Sequence, residues 1–131
     1  MMSAIIALQE ALVARLDQSS LFSGVYHDAP ARAGFPFAVL NCSDERDWSC
    51  KGRRGREVVL QMVLWDEQPS RLLSLENEVE QSLTSLSTGS EWYLSTLLLT
   101  GKRRLRDPGG PWSCTFEFRA RLIEHESGGV A

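Results

Sequence analysis

"EVVLQMVLWDE", residues 57 to 67, decides the fold. Val58, Leu60, Met62 and Leu64 alternate with Val59, Gln61, Val63 and Trp65, the period-two pattern of a β-strand. Both faces of this strand are largely apolar. Such a run reads as a central strand, covered on both sides or covered by a helix on one face and by a partner subunit on the other.

The flanking segments extend the pattern. Upstream, "FPFAVLNCSDERDW" (35 to 48) reads as a second strand, apolar first and polar later, with Pro36 at its start. Between the two strands, "DWSCKGRRGRE" sets Lys51, Arg53, Arg54 and Arg56 around Gly52 and Gly55. This predicts a long, flexible, positive connection over 44–57. At the N-terminal end, "SAIIALQEALVARLDQ" (3 to 18) places Ile5, Leu8, Leu12 and Leu16 at helical spacing behind Ser3, a candidate N-cap. Val25 and Tyr26 form a short extended piece within a turn-rich stretch.

Downstream, "PSRLLSLENEVEQSLTSLS" returns to helical period, with Leu72, Leu75 or Glu76, Val79, Leu83 and Leu86 on one side. Pro69 lies near its start, Ser70 is a candidate cap, and Glu76, Glu78 and Glu80 make an acidic face. "EWYLSTLLLTGKRRLRD" reads as a strand bulged near Gly101, and "DPGG" (107 to 110) as a turn. In "PWSCTFEFRARLIEH", Trp112, Cys114, Phe116, Phe118, Ala120 and Leu122 alternate with polar partners. The predicted order is helix, strand, strand, helix, strand, strand. That is an α+β fold with a mostly antiparallel sheet and helices packed on one face.

With 131 residues and no repeat or internal linker, the chain is expected to be a single domain over 1–131, with an ordered core over about 3–123 and a frayed tail over 124–131. Apolar residues at 43% and charged residues at 24% are globular values, not those of a disordered chain. Three cysteines, Cys42, Cys50 and Cys114, are a poor disulfide framework, so reduced thiols are expected. No apolar run is long enough to span a bilayer and no signal-peptide pattern opens the chain, so a cytosolic protein without membrane partners is expected.

A search for chemistry returns little. His27 and His125 stand outside any metal-ligand spacing. Cys50 has positive neighbours but no histidine base within sequence reach, so an incidental thiol is the expected role. Cys42 and Cys114 read as small buried apolar residues. Asp44, Glu45 and Asp47 lack the spacing of a calcium loop, and "GRRGRE" lacks the GK[ST] ending of a phosphate loop. These patterns do not point to an enzyme.

The basic cluster over 51–56 admits a nucleic-acid reading, with Trp48 at its edge for stacking and cations for phosphates. The net charge of −3 and the lack of a reader motif oppose it. Another reading docks the loop onto an acidic patch of a neighbouring subunit, such as the face bearing Glu76, Glu78 and Glu80.

In order along the chain, "ALQEALVARL", "VYHDAP", "FPFAVL", "DWSCKGRRGREVVLQMVLW", the leucine-spaced helix and "RRLRDPGGPWSCTFEFRARL" resemble the tail-completion family of long-tailed phages and gene transfer agents. The resemblance runs from about residue 3 to residue 123. It is carried by the order and spacing of the motifs more than by any one of them, and "DPGGPW" stands where the family often has a DG turn. The resemblance implies a tail terminator or head-tail joining subunit. Such a protein forms a homohexameric ring on the tail tube, without catalysis or cofactor. Implied partners are the chain itself, the tail tube protein and a head-tail connector or stopper protein. Nonspecific contact with DNA passing through the lumen is compatible with this reading, and a small nucleic-acid-binding module is the alternative. The expected location is the bacterial cytoplasm during assembly and then the virion tail. Trp48, Lys51, Arg53, Arg54, Arg56, Trp65, Glu76, Glu80, Arg104 and Asp107 are the candidate subunit or tube contacts.

Overall fold

A computed structural model describes residues 2–28, 30–89 and 91–125. Helix α1 (Ala4–Ser19) starts at Ser3, whose hydroxyl accepts a hydrogen bond from the Ile6 amide at 3.1 Å. This satisfies one of the amides that a helix start leaves open. Ser3→Ala is therefore expected to cost about 1 kcal/mol, measurable by chemical denaturation. Ala4, Ala7, Leu8, Leu12 and Leu16 form the buried stripe of α1, as the spacing predicts.

Five strands follow the expected pattern, with one addition. Strands β1 (Gly24–Tyr26), β2 (Phe37–Asp47) and β3 (Gly55–Asp66) precede helix α2 (Pro69–Ser82), and β4 (Trp92–Arg106) and β5 (Trp112–Glu124) follow it. Across the sheet the order is β1-β2-β3-β5-β4. All neighbours are antiparallel except β1, the Val25–Tyr26 piece, which lies parallel to the start of β2. The fold is a single α+β domain.

Both helices pack on one face of the sheet. Val58, Leu60, Met62 and Leu64 of β3 and Cys114, Phe116, Phe118, Ala120 and Leu122 of β5 meet Leu8, Leu12, Leu72 and Val79 there. The alternate residues of β3, namely Val59, Gln61, Val63 and Trp65, are only half-buried on the other face. Of the two coverings open to this central strand, the chain itself supplies the helical one.

Four expectations need correction. The connection predicted over 44–57 is mostly strand: Asp44, Glu45, Arg46 and Asp47 pair with Val59, Val58, Glu57 and Arg56, which leaves 48–54 as the turn. Ser70 does not cap α2. The cap residue is Gln68, without a side-chain bond, and Pro69 opens the helix, where its missing N–H costs nothing. The leucine pattern through Leu86 overruns the helix, which ends at Ser82 with Leu83 as its cap. Arg15 explains the stop, because its guanidinium donates to the carbonyls of Ser82, Thr84 and Ser85 at 2.7, 3.2 and 3.3 Å. Of the tail expected to fray, Glu124 ends β5 and the His125 amide donates to the Glu91 carbonyl, while 126–131 lie outside the described residues.

Candidate functional site: two hairpin tips and an uncovered sheet face

The β2–β3 tip is a tight hairpin. Lys51 and Gly52 both have positive φ, 51° and 79°, as a two-residue type I′ turn requires, and Cys50 and Arg53 exchange backbone bonds of 3.1 and 2.9 Å around it. A side chain at Gly55 would collide with the Trp48 carbonyl, so glycine is needed there for close backbone approach. Asp47 accepts from the Ser49 hydroxyl at 2.6 Å, and this bond leads in holding its carboxyl below the usual range.

The basic residues of the tip are partly engaged within the chain. Arg54 bridges Glu124 at 3.2 Å and lies over the Trp92 ring at 5.9 Å. Arg53 donates to the Glu124 carbonyl, and Arg56 lies 3.7 Å from Glu45. The guanidinium of Arg121 covers Trp48 at 5.1 Å. Lys51, at the apex, is exposed.

The acidic face of α2 is not what its sequence spacing predicts. Glu76 is 2% exposed and points onto the sheet, where Arg104 grips its carboxylate through two donors and Lys102 approaches at 3.4 Å. Lys102 also bridges Glu80 at 2.8 Å. Burial works against ionisation of Glu76, but the hydrogen bonds and charge of Arg104, with help from Cys114 and Lys102, hold its carboxyl below the usual range. The Cys114 thiol is pushed up to about 12 by burial and by the neighbouring carboxylate, which makes it unreactive. Lys102 and Arg104 thus neutralise Glu76 and Glu80 within the chain. Glu78 stays exposed.

One ion pair with a buried carboxylate gave no sequence signal beyond its residue types. Asp66 is fully buried and clasped by Arg71 at 2.6 and 2.5 Å. Burial opposes its ionisation, yet the Arg71 guanidinium and the Gln68 amide outweigh it and keep the carboxyl low. This pair ties the end of β3 to the first turn of α2.

The remaining candidates are spread apart. Trp65 stacks on Phe37 at 6.3 Å on the helix-free face, and Tyr26 and Phe35 extend this aromatic row. It lies nine residues along β3 from Arg56, about 30 Å at strand spacing. Asp107 is at the β4–β5 turn, where its carbonyl accepts from the Gly110 amide at 2.9 Å. The two tips stand at opposite ends of the sheet, and Glu76, Glu80 and Arg104 lie between them on the helical face. Among the described residues no group of histidine, cysteine and carboxylate side chains is placed to hold a metal ion.

Comparison with known proteins fits this geometry. A chain of a solved structure described as the virion of a native gene transfer agent (GTA) particle superposes with a TM-score of 0.76, covering 95% of this chain and 100% of that one. At 20% identity it shows a shared fold. No curated protein matches. The family model for Tail completion protein gp17 matches residues 6–123, nearly the whole of both helices and all five strands. The chain belongs to the tail completion protein gp17 family.

Proposed function

We propose that the protein is a structural component of a phage or gene transfer agent tail, a tail terminator that caps the tube as a ring and presents a surface to the head-tail connector. Membership of the tail completion family over residues 6–123 carries this reading. The helix-free sheet face supports it, since a strand apolar on both sides is better accounted for when a partner covers its open side. The work of such a subunit is geometric: it ends tube growth and offers a docking surface. It assembles in the bacterial cytoplasm and travels in the virion tail.

The hairpin tip suits contact with the tube or a neighbouring subunit. Lys51, Arg53, Arg54 and Arg56 lie around its tight turn, with Trp48 at its base. Trp65 contributes on the sheet face and Asp107 at the opposite tip. Glu76, Glu80 and Arg104 serve this reading indirectly, by fixing α2 on β4. The nucleic-acid alternative is weaker, because Arg54 and Arg56 already face Glu124 and Glu45, which reduces the charge free for phosphates. Nonspecific contact with DNA threading through a ring remains compatible.

Solution mass across a concentration series, with and without the tube protein, tests the proposal. A mass near six times 14.7 kDa is expected in at least one condition, and a monomer throughout would overturn the ring. Replacing Lys51, Arg53, Arg54 and Arg56 together by alanine is expected to impair particle assembly while leaving the circular dichroism spectrum unchanged. Exposed ion pairs contribute only about 0–1 kcal/mol each to folding. Normal assembly by this variant would remove the tip from the interface.

A further inference from the structure

The sheet ends in two open edges. Among the described residues β4 pairs only with β5, and every residue from Thr100 to Arg106 is exposed. At the other edge, β1 covers β2 only at Phe37, Ala38 and Val39, so Leu40 to Asp47 has no strand partner on that side among the described residues. Unpaired amides and carbonyls of this kind invite another strand. The edges differ in charge. Asp44, Glu45 and Asp47 outnumber Arg46 on β2, whereas β4 carries Arg103 and Arg106 beside Lys102 and Arg104, whose charge is already engaged by Glu76 and Glu80.

We propose that these edges join copies of the chain. The free edge of β4 pairs with the Leu40–Asp47 edge of β2 in the next copy, and repetition of this contact closes the ring as one continuous barrel. The inference rests on the ring reading above and specifies its interface.

Strand direction permits the joint. β2, β3, β5 and β4 alternate in direction, so β4 runs opposite to β2. A copy related by rotation about an axis along the strands therefore presents its β2 antiparallel to β4. The contact is heterologous, as a ring requires.

Register follows from the cross-strand rows. Arg103 lines up with Thr115, Val63 and Val39, while Asp44 lines up with Val59, Arg119 and Leu98. These rows are four residues apart on β3, from Val59 to Val63 (63 − 59 = 4). Without a shift, Arg103 would face Val39 of the next copy, where β1 already sits. A shift of these four residues carries that β1 past the end of β4 at Arg106. The same shift sets Arg103 opposite Asp44. Four residues over the four strands β2, β3, β5 and β4 is about one residue per strand, the stagger of closed barrels whose strands tilt by about 36°. Charge, clearance of β1 and barrel closure thus select one register.

A pair of cysteine variants reads that register directly. In a Cys50→Ser background, Asp44→Cys with Arg103→Cys is oxidised in the presence of the tube protein and run on a non-reducing denaturing gel. Asp44→Cys with Leu98→Cys represents the unshifted register. The expected result is a ladder of covalent multimers for the first pair and single chains for the second. Equal ladders, a ladder only with Leu98→Cys, or assembled rings without crosslinks would overturn the joint while leaving the ring standing. Failure of the unmodified chain to assemble in any condition would overturn the ring reading and the joint with it. As an independent arm, Arg103→Glu and Asp44→Lys each face like charge with like and are expected to weaken assembly about tenfold or more, and combining both in one chain should restore it. Full assembly of both single variants, or no recovery in the double, would count against the joint. Both positions are exposed, and unchanged circular dichroism confirms that the fold is intact.

Discussion

Phe116→Ala is expected to destabilise the protein by about 3–5 kcal/mol, the range for removing a large aromatic from a core. Phe116 is fully buried at the middle of β5. Its ring stacks on Phe118 at 5.8 Å, and the Lys102 ammonium lies 5.5 Å from its centroid. Met62 is its cross-strand partner on β3. Truncation would forfeit the buried area and leave a void between the sheet and α2 that rigid neighbours fill only in part. Single domains are stable by about 5–15 kcal/mol, so the loss would be a large fraction of the total. Leu98→Ala is the matching control on the same sheet. Leu98 is 48% exposed on the helix-free face, and its truncation should fall within about 0.5 kcal/mol. Urea denaturation of both variants checks the contrast. Comparable losses at the two positions would mean that the open face is covered within the folded chain.

Much of this architecture was legible because alternation and helical spacing are local. β5 is the clearest instance: Cys114, Phe116, Phe118, Ala120 and Leu122 are buried, as alternation predicts. What escaped the reading depends on bulges and on distant partners. In β4 the register shifts between Leu99 and Gly101, so Thr100 is the extra residue. One extra residue exchanges the two faces of everything beyond it. Leu97 and Leu99 face the helices before the bulge, and Lys102 and Arg104 do so after it, while Leu105 turns outward. A bulge near Gly101 was readable; its consequence, two cations aimed at α2, was not.

The candidate contacts divide along the same line. The acidic spacing on α2 was visible, but Glu76 also belongs to the buried stripe, and its partners lie 26 and 28 residues away. Nothing local distinguishes an acidic face awaiting another subunit from one neutralised within the chain. The β1–β2 pairing had the same obstacle, since parallel strands are joined by a crossover with no turn signature. The basic tip was read correctly in composition and too generously in length. Its type I′ turn at Lys51 and Gly52 lets the strands run almost to its apex.

Arg104→Met is the second substitution with a large expected effect, about 3 kcal/mol, because it leaves a buried carboxylate without its main partner. Glu76 is 2% exposed, whereas the Arg104 side chain is 47% exposed, so the penalty falls on the glutamate left behind. Lys102, at 3.4 Å, offsets part of it. If uncompensated charge is the cause, Glu76→Met combined with Arg104→Met should lie within about 1 kcal/mol of the wild type or above it. A double variant as unstable as the sum of its singles would instead mean that the ion pair itself carries the stability. Acid supplies a further check. The folded-state pKa of Glu76 is depressed, so its contribution is present above the ordinary glutamate value, about 4.3, and is lost as pH falls through the folded value. In Arg104→Met that depression is removed and burial acts with less opposition, so protonation relieves the variant at a higher pH than it affects the wild type. The stability gap between the two is therefore expected to be widest near pH 7 and to narrow toward pH 4. A gap independent of pH would show that Arg104 acts through packing on α2 and not through the charge of Glu76.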